Sequence, residues 1–202
     1  MYYKKIVLSL LFSVTTAFSF SVASADDAAL VKEKCGSCHG DDGNSKDEKV
    51  PSIAGFSADA IEDILSQYKS GDRKGDKYTP EGGKETDMGE IASKISDDDI
   101  KKISAFLAAQ TFKPVKQPID KALAKKGEKL HKKKCEKCHS DNGSNASDDA
   151  AILAGQWEAY LQKEFDKIAA QERDIPRKMK KRFKKLSEED RTALIKFYVS
   201  QQ

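Results

Sequence analysis

All four cysteines of the chain lie in two copies of one pattern, Cys35-Gly36-Ser37-Cys38-His39 and Cys135-Glu136-Lys137-Cys138-His139. Cysteines three apart, with a histidine directly after the second, share one face of a helical turn. Such a face can hold a flat macrocycle: the two thiols add to its vinyl groups as thioethers, and the histidine nitrogen reaches the central iron. The residues therefore predict two covalently bound haem c groups, one on Cys35 and Cys38 with His39 as iron ligand, the other on Cys135 and Cys138 with His139. A redox dithiol would need no neighbouring histidine, and no βαβ pattern accompanies these cysteines. A zinc site could use the thiols, and an exported chain can hold disulfides, although a bridge inside one helical turn is strained.

Each iron needs a sixth ligand. The chain has three methionines. Met1 belongs to the leading segment; Met88 and Met179 each stand eight residues before a serine that can cap a helix, Ser96 and Ser187. A lone methionine is ordinary core filler, but a pair at matching positions predicts ligation. A thioether is a soft ligand that favours ferrous iron and raises the potential relative to two histidines. His131 lies eight residues before His139 on the same expected helix and reads as a surface or packing residue. The Pro51 carbonyl is a candidate acceptor for the ring N–H of His39, with Ala151 as its counterpart for His139. Trp157 reads first as core packing, with the second haem and the domain seam as other placements.

The elements that must position these residues follow an internal repeat. Offset by 100, Cys35 to His39 matches Cys135 to His139, Gly43 matches Gly143, Ile53-Ala54-Gly55 matches Leu153-Ala154-Gly155, and Arg73 matches Arg173. The offset then becomes 91, pairing Met88 with Met179, Ser96 with Ser187, Phe106 with Phe197 and Gln110 with Gln201. The first half thus carries nine extra residues, within a Gly- and Pro-bearing loop over 74–87. Each half predicts a helix running into its haem motif (28–39 and 119–139), a second helix (57–70 and 156–171) and a closing helix after Ser96 or Ser187. The closing helices place Ile100, Ile103, Phe106 and Leu107, or Leu194, Phe197 and Tyr198, on one face. Helix formers dominate and strand signals are sparse, so the fold class is all-α.

Met1 to Lys5 is a short basic start, 6–22 is largely apolar, and Ala23-Ser24-Ala25 reads as a cleavage site, which together predict a secretory signal peptide over 1–25 and a periplasmic location. The mature chain divides into domains over 26–113 and 119–202 with a linker over 114–118. No other segment is apolar enough to span a bilayer. Residues 26–113 hold 13 Lys+Arg against 19 Asp+Glu, a net of −6, whereas 114–202 hold 21 against 14, a net of +7. This asymmetry can orient the molecule against an electron-transfer partner. An exported chain with two such haem motifs makes nucleic acid a poor partner for the basic run 121–137.

In tandem, haem motif, methionine and terminal helix resemble the two-domain dihaem class I cytochromes c. A tighter likeness lies in the second half. Lys129-Leu130-His131, Cys135 to His139, Ile152-Leu153-Ala154-Gly155-Gln156-Trp157, Tyr160-Leu161-Gln162, Lys178-Met179 and Phe197-Tyr198-Val199-Ser200-Gln201-Gln202 resemble the cytochrome subunit of the flavocytochrome c sulfide dehydrogenase family. Tyr68-Lys69-Ser70-Gly71 and Gln110-Thr111-Phe112-Lys113-Pro114 are similar too. The resemblance implies a non-catalytic haem subunit that takes electrons from an FAD-bearing flavoprotein and passes them to a periplasmic or membrane-bound acceptor. The extra loop before Met88 departs from that pattern. A free-standing dihaem carrier feeding a terminal oxidase and a dihaem enzyme, either a peroxidase or a thiosulfate dehydrogenase, are the competing readings.

Overall fold

The computed structural model describes residues 24–202. The signal-peptide reading falls almost wholly outside that range; of its residues, only Ser24 and Ala25 are described, as the cap and first residue of helix α1. Among the described residues the regular elements are helical, apart from one isolated antiparallel bridge between Tyr78 and Thr86. The first domain holds α1 (Ala25–Lys34), α2 (Gly36–His39), α3 (Ala58–Ser70), α4 (Met88–Ser93) and α5 (Asp97–Ala108). The second holds α6 (Lys121–Lys134), α7 (Glu158–Ala169), α8 (Arg177–Phe183) and α9 (Glu188–Val199).

The closing helices start where their caps require. Ser96 Oγ accepts the Asp99 N–H and Ser187 Oγ accepts the Asp190 N–H, each at 3.1 Å, with acidic residues filling the first turn at the positive end of the helix dipole. Their apolar faces are buried as expected. Ile100, Ile103, Phe106 and Leu107 pack with Val31, Phe56, Ile61 and Leu65; Leu194, Phe197 and Tyr198 pack with Leu161, Phe165, Ile168 and Phe183.

The repeat extends to individual backbone bonds. Gly43 O accepts the N–H groups of Ile53 and Ala54, and Gly143 O accepts those of Leu153 and Ala154. Gly55 N–H donates to Leu107 O and Gly155 N–H to Tyr198 O, at 2.9 and 2.8 Å. Gly43 and Gly143 sit at φ 77° and 85°, in the left-handed region that favours a residue without Cβ.

One expectation needs correction. The helices leading into the haem motifs end at Lys34 and Lys134 rather than running through the histidine, because Cys35 (φ −122°, ψ −27°) and Cys135 (φ −117°, ψ −35°) turn the chain out of helical register. Each motif is instead a separate turn, closed by His39 N–H to Cys35 O at 2.9 Å and His139 N–H to Cys135 O at 3.1 Å. The methionines lie on short helices of their own, α4 and α8, too brief to leave a periodic signal; Asp87 caps α4 by accepting the Glu90 N–H at 3.0 Å. The segment over 114–118 between the domains is pinned by hydrogen bonds to the second domain. Val115 is buried and donates its N–H to Gly155 O at 2.8 Å, and Gln117 donates Nε2 to Gln156 O and accepts the Glu158 N–H. Its polar, Pro-bearing composition hid the paired backbone.

Close packing also distinguishes the domains. A Cβ on Gly127 would stand 2.0 Å from Ala193 O, so α6 crosses α9 with backbones nearly touching. The first-domain counterpart is Asp27, in the exposed first turn of α1.

Candidate haem sites and the seam between them

In the first domain, His39 is buried at 7 % exposure and its Nδ1 bonds Pro51 O at 2.8 Å. That bond, expected from the sequence, fixes the imidazole and leaves Nε2 as the free ring nitrogen. Burial holds the ring below its ordinary pKa, against the smaller upward pull of the Pro51 bond, so it is neutral as a ligand must be. His39, Cys35, Cys38 and Met88 line one cleft of about 980 Å³ counted out to its mouth, walled by Ile53, Phe56, Ile61, Leu65, Ile103 and Leu107. An apolar slot with a neutral histidine, a thioether and two thiols fits a haem, which is flat, largely apolar and in need of two axial donors.

The alternatives fit less well. Burial pushes the Cys35 thiol up to about 11 and raises Cys135 also, opposite to the lowered value of a reactive dithiol. Among the described residues, no group of three or more His, Cys, Asp or Glu is placed to hold a metal ion alone, as a zinc centre would require. The four cysteines are unbridged.

The second site has the same parts with a looser frame. Cys135 and Met179 pack against one core with Leu161, Phe165 and Leu194. His139 is half-buried, and burial lowers its pKa. The expected bond from His139 to Ala151 is not formed: Ala151 lacks the ring with which Pro51 fixes the loop, and the approach over 140–149 is a polar knot in which Ser140 Oγ donates to Asp148 and accepts from Asn145 Nδ2. His131 is a packing residue, fully buried rather than on the helix surface. Its Nδ1 bonds Tyr198 OH at 3.0 Å, its Nε2 lies against Glu136 Oε2, and its ring tilts on Phe197 at 5.1 Å. Val31 fills that position in the first domain.

The two sites meet across a polar seam. Gln156, fully buried, accepts the Ser52 N–H at 3.0 Å and donates to Ser52 O at 2.6 Å. Ser52 follows Pro51, so a second-domain side chain holds the loop that orients His39. Trp157 lies at this seam rather than in a core, its Nε1 donating to Ser45 O at 3.3 Å. Arg73 Nη2 bonds Glu164 Oε2 at 2.8 Å, and Arg173 reaches the same oxygen. Burial alone would raise the Glu164 carboxyl; the Arg173 and Arg73 guanidiniums, with Lys167, outweigh it and hold it below its ordinary value. The repeat exposed the two arginines but not Glu164, whose counterpart Ile64 is apolar.

The extra loop joins the same seam. Pro80 and Thr86 line the first cleft beside Met88, and Tyr160 and Ala151 of the second domain complete its wall. Asp76 pairs with Lys163 at 3.1 Å and with Lys167, and Tyr78 OH donates to Asp47 at 2.7 Å. The loop therefore covers the Met88 side of the first cleft and ties it to α7.

Comparison with known proteins agrees with this architecture. Residues 25–111 match the cytochrome c family, and 122–197 match the family described as cytochrome c oxidase, cbb3-type, subunit III. Cytochrome c4 of Stutzerimonas stutzeri is 33% identical over 175 residues, covering 80% of this chain and 80% of that protein. The chain belongs to the cytochrome c4 family. Cytochrome c4 of Azotobacter vinelandii is 31% identical over 156 residues, 70% of this chain and 72% of that one. The crystal structure of reduced recombinant cytochrome c4 from Pseudomonas stutzeri superposes with a TM-score of 0.70 at 28% identity, covering 90% of this chain and 100% of that one. As a cytochrome c4-like protein, the chain is a dihaem electron carrier with two covalently bound haem c groups, one in each class I cytochrome c-like domain. Among the described residues, no helix is long and apolar enough to cross a membrane.

Proposed function

We propose that this chain is a periplasmic one-electron shuttle whose first domain, over 26–113, and second domain, over 119–202, each hold one iron between a histidine and a methionine. His39 and Met88 serve the first iron, His139 and Met179 the second; Cys35 with Cys38, and Cys135 with Cys138, carry the thioethers. The haem supplies reversible one-electron chemistry. The chain's own residues do the rest. Pro51 O orients His39, the apolar walls exclude water, and Arg73, Glu164 and Arg173 hold the domains in register. The observation that carries this reading is the common cleft containing Cys35, Cys38, His39 and Met88.

The basic second domain is the docking side for an acidic acceptor in solution or at a membrane. Helix α8 and the turn after it place Arg177, Lys178, Lys180, Lys181, Arg182, Lys184 and Lys185 around Met179. Reduction of such an acceptor slows as ionic strength rises; a rate indifferent to salt overturns the docking side.

The relatives named cytochrome c4 support a free-standing carrier. The likeness of Ile152 to Trp157 and of the chain end to the flavocytochrome subunit supports a second reading, in which an FAD-bearing flavoprotein is the donor and the complex oxidises sulfide. Native purification from the periplasm, followed by haem and flavin absorbance, separates the two. A co-purifying flavoprotein that reduces both haems on adding sulfide establishes the subunit; a haem-only protein inert to sulfide establishes the carrier. Peroxide or thiosulfate turnover by the isolated protein would instead make it an enzyme.

A further inference from the structure

Helix α8 has two working sides. Met179 packs on the core that holds Cys135, whereas Lys180, Phe183 and Lys184 line a separate open cleft against the end of α7 and the start of α9. The cleft measures about 640 Å³ out to its mouth. Arg173, Lys180, Lys184 and Arg191 line it, no carboxylate does, and none of Cys135, Cys138, His139 or Met179 belongs to it.

Two of its donors have nothing to bond. Nε of Arg173 and Nε of Arg191 are buried without a hydrogen-bond partner, so the protein leaves part of each guanidinium unmet. The partners these cations do have leave the cleft positive. Arg173 shares Glu164 with Arg73. Arg191 Nη1 donates to Leu186 O at 3.2 Å. Lys180 pairs with Asp174 at 3.2 Å, a side chain 79% exposed. Lys184 has no carboxylate within ion-pair distance among the described residues.

The repeat shows how the cleft arises. In the first domain Lys69 fills this place and donates Nζ to Ile95 O at 2.9 Å. Its counterpart is Ala169, which opens the space, and Arg191, standing where the first domain has Ile100, reaches the matching carbonyl of Leu186 from α9. Lys180 and Lys184 stand where the first domain has Gly89 and Ser93. One cation is lost and three are gained around a cavity.

We propose that this cleft binds a small tetrahedral oxyanion of the phosphate or sulfate class. Arg173 and Arg191 hold it from the inner wall by charge, and Lys180 and Lys184 neutralise it at the mouth. Guanidinium groups suit the spacing of such oxygens, and charge-assisted bonds of this kind are the strong ones.

The test is calorimetric titration of the holo protein at fixed ionic strength with inorganic phosphate, sulfate and thiosulfate, with chloride as reference. One saturable oxyanion per chain is expected, bound at least tenfold more weakly by Arg191→Ile and by Lys184→Ser, the residues the first domain carries. The tightest of the three names the anion. Lys184 is exposed, so its loss tests the site even if Arg191→Ile misfolds. Absence of saturable binding, equal binding of chloride, or affinity unchanged in Lys184→Ser overturns the proposal.

Discussion

Replacing Glu164 by Gln would remove one charge from the seam while keeping its shape. Glu164 lies between Arg73, 6% exposed, and Arg173, whose side chain is 21% exposed. With the carboxylate neutralised, two guanidiniums face each other in a partly dry site. Breaking a buried pair by removing one partner costs about 3–5 kcal/mol. The amide still accepts a hydrogen bond and Arg173 keeps some water, which places the loss near the lower end, about 3 kcal/mol. For a chain of this size each kcal/mol shifts Tm by roughly 2–4 °C, so the holo variant should melt about 6–12 °C below the parent at pH 7. The gap has a pH signature. Because Glu164 is held below the ordinary value of 4.5, its stabilisation is complete above that value and is lost as pH falls through the lower folded one. Parent and variant should therefore converge on acidification. Thermal unfolding of both proteins, matched for haem content, checks this from pH 7 downward. A deficit smaller than about 1 kcal/mol at pH 7, or one that widens as pH falls, would refute the assignment of Glu164 as the counter-ion of the seam.

Gly127→Ala puts a methyl group against the Ala193 carbonyl and should cost at least about 1–3 kcal/mol by forcing α6 from α9; the denaturant midpoint of the second domain reads it, and an unchanged midpoint would show that the helices yield. Gln156→Leu strands the N–H and C=O of Ser52 in a dry seam at a cost of about 1–3 kcal/mol for each unmet group, and the Ser52 amide should exchange with solvent faster; unchanged protection would mean that the loop stands without its second-domain support. Met88→Ala and Met179→Ala should each lower the potential of one haem, leave the other nearly as it was, and open the altered iron to carbon monoxide in the reduced protein. Ligand binding at both haems in either single variant would contradict the one-methionine-per-iron assignment.

Much of the architecture could be read from residue spacing because the two halves encode it twice. The motif turns, the capping serines and the buried faces of α5 and α9 depend on local chemistry, and local chemistry repeats. The matching positions of Met88 and Met179 were legible for the same reason, although α4 and α8 were not: helices of six and seven residues carry too little period to separate from a loop. Of the two motif histidines only His39 keeps its expected acceptor, since Pro51 stiffens its loop and Ala151 does not.

What the repeat concealed lies where the halves differ, and one set of differences lies at the seam. Gln156 stands where the first half has Phe56, Glu164 where it has Ile64, and Trp157 where it has Ser57. Each of these second-domain residues bonds a first-domain partner: Ser52, Arg73 and Ser45 respectively. The extra loop adds Asp76 from the other side, against Lys163 and Lys167. The repeat-related Arg73 and Arg173 meet at the seam on one carboxylate, but that carboxylate, Glu164, has no counterpart in the first half. Gln156, Glu164 and Trp157 break the repeat, and in doing so they give the two haems unequal surroundings. The first is roofed by the loop and by Tyr160 with its histidine held by Pro51, while the second sits among the cations of α8. Nearby positive charge disfavours ferric iron, and a more exposed site has the opposite effect, so the residues that join the domains also set two opposed influences on the second haem that the first does not share.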